Sequence, residues 1–120
     1  MAESILDTIK INFTDLDDTS FDADLIRSIN ATLATLTFQL GVGPEEGFII
    51  TGRNETWDSI YTDKRLSMVE EYVKQSVQLD FDPPSNQSMI NILNSSIAKL
   101  EFRIGVVVTN MEKLGGASNV

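Results

Sequence analysis

The chain has 120 residues and a mass of 13.3 kDa, with 42% hydrophobic and 22% charged residues, which suits one domain with one core and is too apolar for a disordered chain. It has no histidine and no cysteine, which excludes Ser-His-Asp and Cys-His nucleophiles, His/Cys zinc sites, the common haem ligations and disulfides. Eighteen acids against nine bases give a net charge of −9 and a pI near 4.2, the wrong sign for sequence-independent grip on a phosphate backbone.

Four helices are predicted in chain order. The first runs from about Ser4 to Ile11, capped by Ser4, with Ile5, Leu6 and Ile9 on one face. It stops in the turn-forming, like-charged stretch TDLDDTS. The second is capped by Ser20, with Asp22 and Asp24 complementing the positive end of its dipole. Phe21, Leu25, Ile29, Leu33, Leu36 and Leu40 form its apolar stripe, and Gly41, Gly43 and Pro44 end it.

A connector from Gly41 to Thr62 follows, longer than compact domains usually leave without a role. Its segment Phe48-Ile49-Ile50-Thr51 has strand character, and Thr56-Trp57 is expected to pair back on it as a small hairpin at most. The third helix runs from Asp63 to Phe81, with Leu66, Val69, Tyr72, Val73 and Val77 inward, and Asp82-Pro83-Pro84 stops it. Lys64 and Arg65 oppose its dipole and read as solvated. The fourth starts at Ser85 or Ser88 and ends near Val107, with Met89 or Ile90, then Leu93, Ile97, Leu100, Ile104 and Val107 spaced to pack along a neighbouring helix. The expected class is a mainly α bundle of about four helices, with a helical domain over 1–108 and a flexible Gly-rich tail over 109–120.

No stretch reaches the roughly 18 apolar residues of a membrane helix. The segment MAESILDTIK carries Glu3 and Asp7 and lacks the basic start of a signal peptide. The N-x-S/T sequons at Asn12, Asn30, Asn54, Asn86 and Asn94 therefore read as chance. Charge is uneven: residues 1–60 hold 11 acids and 3 bases, a balance of −8, whereas residues 61–120 hold 7 acids and 6 bases, a balance of −1.

Few residues carry candidate chemistry. Asp15, Asp17, Asp18, Asp22 and Asp24 form the one dense carboxylate cluster, yet counting from Asp15 the sixth place is Ser20 and the twelfth is Ile26. A calcium loop needs glycine and glutamate there, so the cluster reads as a turn and a helix cap. GVGPEEG lacks the Lys-Ser/Thr of a phosphate loop, and Glu45 and Glu46 would repel phosphate. The adjacent pairs Glu45/Glu46 and Glu70/Glu71 come with no substrate-binding motif, and neighbours on a helix point apart. Trp57, with Phe48 and Tyr61, is either a packed mini-core under the long loop or a partner-binding anchor.

The FDADLI opening of the second helix, Leu40-Gly41-Val42-Gly43-Pro44 with Gly47-Phe48, the Trp57 loop, Lys74 followed by Phe81-Asp82-Pro83-Pro84, and KLEFRI in the last helix occur in a recognisable order. Over about residues 3–107 this order resembles the small head–tail connector, or adaptor, proteins of long-tailed bacteriophages. The resemblance implies a structural virion protein, not an enzyme, with no cofactor, metal or catalytic residue. It implies a mostly helical protomer in a twelve-fold ring, placed in the virion neck between the portal and the stopper or tail-completion protein. Double-stranded DNA would pass through the ring without specific binding, no membrane would be involved, and assembly would occur in the host cytoplasm. Candidate subunit or partner contacts are Phe48, Ile50 and Trp57 on the loop and Met111 and Leu114 on the tail. Candidate channel-lining acids are Asp17, Asp18, Glu45 and Glu46. The competing expectations are a free acidic regulator, such as a DNA-mimic inhibitor, and another phage head or tail completion factor.

Overall fold

A computed structural model of the chain describes the backbone of residues 3–118 and the side chains of residues 3–112. Helix α1, Ile5–Lys10, begins as expected: the Ser4 hydroxyl accepts from the Asp7 N–H at 3.2 Å, and Ile5, Leu6 and Ile9 are buried. Lys10 is buried as well, 1% exposed, with Nζ 2.7 Å from Asp22 Oδ1 and donating to the Leu16 carbonyl at 3.0 Å. A buried ammonium needs such partners, and this one ties α1 to the acidic turn and to the start of the next helix.

Helix α2, Asp22–Phe38, buries Leu25, Ile29, Leu33 and Leu36 completely. Its start corrects the expected Ser20 cap. The cap position is Phe21, which has no side-chain cap bond, and Asp18 instead accepts the Ser20 N–H at 2.9 Å and the Thr14 hydroxyl at 3.2 Å. An aspartate two residues ahead closes a turn on the Ser20 N–H, which sets Ser20 ahead of the helix and leaves Phe21 at the cap position. Phe21 also leaves the predicted stripe. It is exposed, with its ring edge-on to Phe81 at 6.0 Å, and Phe81 in turn packs edge-on to Phe13 at 5.6 Å. The helix ends before Leu40, and Gly41 and Gly43 follow with φ of +76° and +88°.

The long connector forms no hairpin, and its architecture comes from two anchors. The Asn30 amide donates to the Ile50 carbonyl at 3.0 Å and accepts the Ile50 N–H at 2.8 Å, offering one extended residue the donor and acceptor a neighbouring strand would supply. Thr56-Trp57 pairs not with residues 48–51 but with the N-terminus, through a single antiparallel bridge from Thr56 to Ser4. Around it the Ile5 N–H donates to the Glu55 carbonyl at 3.0 Å and the Trp57 N–H to the Glu3 carbonyl at 3.3 Å. A 3-10 turn over Trp57–Ser59 continues from there.

The predicted third helix is two pieces: a 3-10 turn over Lys64–Leu66, then helix α3 over Met68–Phe81. Asp63 starts the first piece by accepting the Arg65 N–H at 2.9 Å, and its carboxylate lies 2.7 Å from the Arg65 guanidinium. Arg65 is therefore held locally rather than simply solvated. That contact holds the Asp63 carboxyl at about 2. Helix α4 spans Gln87–Ser118, capped by Asn86, which accepts the Ser88 N–H at 2.7 Å. It does not end near Val107 but continues through the segment expected to be irregular, Gly115 and Gly116 included.

Helix α3 lies between α2 and α4 and packs on both, while α1 packs on α2. Val69, Val73 and Val77 are wholly buried at its centre, and Leu100 and Ile104 are the buried contribution of α4. Two phenols fasten the layers: Tyr72 donates to Glu101 of α4 at 2.9 Å, and Tyr61 of the connector donates to Glu70 of α3. Burial, then the adjoining carboxylates, push both phenols well above their ordinary value of 10.0.

Candidate assembly surfaces

The apolar centre of the connector divides by burial. Ile50 and Trp57 sit in the protomer core, Phe48 is half-buried against it, and Ile49 projects to solvent, 63% exposed. The division follows from the Asn30 clamp: fixing residue 50 in extended backbone turns its side chain inward and that of residue 49 outward. Gly47 sets the neighbouring geometry. At φ +92° it lies against the ring of Phe38, and a Cβ there would come 2.5 Å from Phe38 Cζ. Phe38 itself is 64% exposed, so Phe38 and Ile49 lie near one another on the outside of α2.

The expected channel acids fall into two groups. Asp17 is exposed and Asp18 half-buried in the turn before α2, whereas Glu45 and Glu46 are exposed just beyond its other end. With 17 residues in α2, the groups are separated by about 25 Å at 1.5 Å per residue. Asp18 has a structural task, since the Ser20 and Thr14 donors hold its carboxyl below the ordinary range. Part of the remaining acidity is paired: Asp7 takes a two-pronged contact from Arg53 at 2.8 and 2.9 Å, Asp22 faces Lys10, and Asp24 faces Arg27 at 2.6 Å.

Met111 is half-buried where α4 passes the connector, and with Gly41, Ile60, Leu66 and Val108 it borders an open cleft of about 470 Å³. The Leu114 side chain lies outside the described residues. Glu70 and Glu71 diverge, the first towards Tyr61 and the second towards Gln75, so they do not form an acid–base pair. Among the described residues no group of three acids converges as a cation site, and no helix is long and apolar enough to cross a membrane.

The surface that sequence reasoning missed is the outer side of α4. Phe102 and Val106 are 73% and 42% exposed, on the side opposite Leu100 and Ile104, while Ile92, 62% exposed, lies further back along the helix at the groove between α4 and α3. Phe102 falls two residues after Leu100 and so lies off the inward stripe, which was the available signal. Contiguous exposed apolar side chains of this size mark contact surfaces more often than solvent faces.

The fold is thus a small helical unit that leaves apolar side chains exposed on α4 and beside α2. Residues 5–110 match the family described as phage connector protein, and the chain belongs to that family, a family of structural proteins. It is a phage structural connector, which associates it with the other head and tail proteins of the virion neck. Comparison with curated proteins and with solved structures returns no match.

Proposed function

We propose that the chain is the subunit of a head–tail connector (adaptor) ring, twelve-fold as the resemblance implies, that joins the portal to the stopper or tail-completion protein. The observation that carries this reading is the family match across residues 5–110, which takes in α1, α2, α3 and most of α4. The ring assembles in the host cytoplasm and has no catalytic step and no cofactor. Exposed apolar groups on α4 and outside α2 give it surfaces to bury on assembly. A DNA-mimic inhibitor would need an open array of carboxylates, and the pairing of Asp7, Asp22 and Asp24 with basic side chains speaks against one.

Within the ring, Asp17 and its exposed neighbour Asp15 belong to the conduit wall, where like charge keeps phosphate from binding and lets double-stranded DNA slide. Asp18 supports that turn from behind through the Ser20 N–H. Phe48, beside the exposed Ile49, is the connector's contribution to a subunit contact. The last turns of α4 from Thr109, with Met111 and Leu114 among them, form the arm that reaches the portal. Mass analysis of purified particles tests the reading. The chain is expected in them in about a dozen copies by the implied symmetry, whereas a chain found only free in infected cells would be a regulator.

A further inference from the structure

Two exposed apolar patches lie on different elements and carry opposite charge. On α4, Phe102 and Val106 are flanked by exposed Lys99 and Arg103, and at 100° per residue the four fall within one arc of about 100°, with Phe102 opposite Leu100 and Ile104 and Arg103 at the edge nearest Leu100. Outside α2, Phe38 and Ile49 border exposed Ala31 and Ala34 and stand beside Glu45 and Glu46. The α2 patch is shallow where the alanines lie, and small side chains let a second helix approach closely. The α4 patch supplies a protruding aromatic to fill such a shelf.

We propose that the Phe102–Val106 face of α4 docks on the Phe38–Ile49 face of α2 in a second copy of this chain, with Lys99 and Arg103 meeting Glu45 and Glu46 at the rim. The proposal rests on the ring reading and names its interface. Charge decides the pairing. An α4 face against its own copy would oppose Lys99 and Arg103 to the same cations, and an α2 face against its own copy would oppose glutamates to glutamates. Each face is complementary only to the other. A contact between two different patches is head-to-tail, and head-to-tail contacts repeat around a closed ring rather than stopping at a dimer. The apolar pair supplies the affinity, and the rim charges fix orientation and exclude the self-pairings.

The absence of native cysteine makes the test clean. Particles are assembled with Ile49→Cys, Val106→Cys or the double variant, treated with a flexible bismaleimide and separated under denaturing conditions. The double variant is expected to give a ladder of cross-linked multimers, and each single variant only monomer. Dimers from Val106→Cys alone would mean that α4 faces meet each other and would overturn the proposal. So would a chain present in particles whose double variant gives no ladder, and there the ring reading survives. Absence of the unsubstituted chain from particles would instead remove the ring reading and the proposal with it. A second measurement needs no cysteine: E45K with E46K should abolish incorporation into particles, and adding K99E with R103E should restore it. Incorporation that the second pair does not restore would also overturn the proposal.

Discussion

Helices α2 and α4 both flank α3 and both carry strong apolar patterning, yet they use it differently. In α2 the four stripe residues Leu25, Ile29, Leu33 and Leu36 are fully buried within the protomer. Among the described side chains of α4, Ile104 is fully buried and Leu100 nearly so, while Phe102 and Val106 face outward. The difference teaches that apolar content does not measure contribution to the fold. α2 gives its stripe to the fold and leaves Phe38, at its end, outside, whereas α4 divides its apolar surface between the fold and assembly along its length.

The largest expected effect separates these roles. Leu33→Ala removes a wholly buried side chain and should cost about 2–5 kcal/mol in urea unfolding of the isolated chain. Phe102→Ala should stay within about 0.5 kcal/mol in the same measurement, as exposed substitutions do, and should show its loss in particle incorporation instead. Comparable stability losses at both sites would erase the distinction between the helices.

Asn30→Ala comes next. It leaves the N–H and carbonyl of Ile50 without their partner, and a buried hydrogen-bonding group left unmet costs about 1–3 kcal/mol. Because the same clamp turns Ile49 outward, the variant should also lose assembly competence, and faster proteolysis between residues 47 and 53 would report the freed segment. Unchanged cleavage there would mean that the connector is held by Trp57 alone.

The smallest effect concerns pH. Tyr61 and Tyr72 are pushed above 10.0 by burial and by the carboxylates of Glu70 and Glu101. A raised folded-state value means that the stabilisation is fully present below pH 10 and is lost as pH climbs from there towards the folded value. The melting temperature of the isolated chain should therefore fall above pH 10, and less steeply in the Tyr61→Phe, Tyr72→Phe double variant. Equal slopes would show that the phenols do not fasten α3 to its neighbours.

What was legible in the sequence was local. The α2 stripe, the glycines after it and the Asp82-Pro83-Pro84 stop follow from helical spacing and from backbone chemistry within a few residues. The Ser20 cap failed because Asp18 draws Ser20 into its own turn and leaves the cap position to Phe21, a choice made by geometry and not by residue type. The hairpin failed because the partner of Thr56 is Ser4, far away in sequence. The length of α4 was underestimated because glycine lowers helix propensity by only about 1 kcal/mol per residue, a weak prior that the continuous helix overrides. Of the site residues, spacing marked the connector's apolar centre as important but could not tell Ile50, which is buried, from Ile49, which is exposed. That distinction depends on Asn30, and no pattern around residue 50 points to it.

A cryo-EM reconstruction of the virion neck tests the assembly of this chain most directly. The expected map has a closed ring of copies at the portal, with α4 of each copy lying on α2 of the next and Phe102 enclosed at the contact. A neck without this chain, or a ring in which Phe102 and Val106 face solvent, would contradict the assembly role of the outer face of α4.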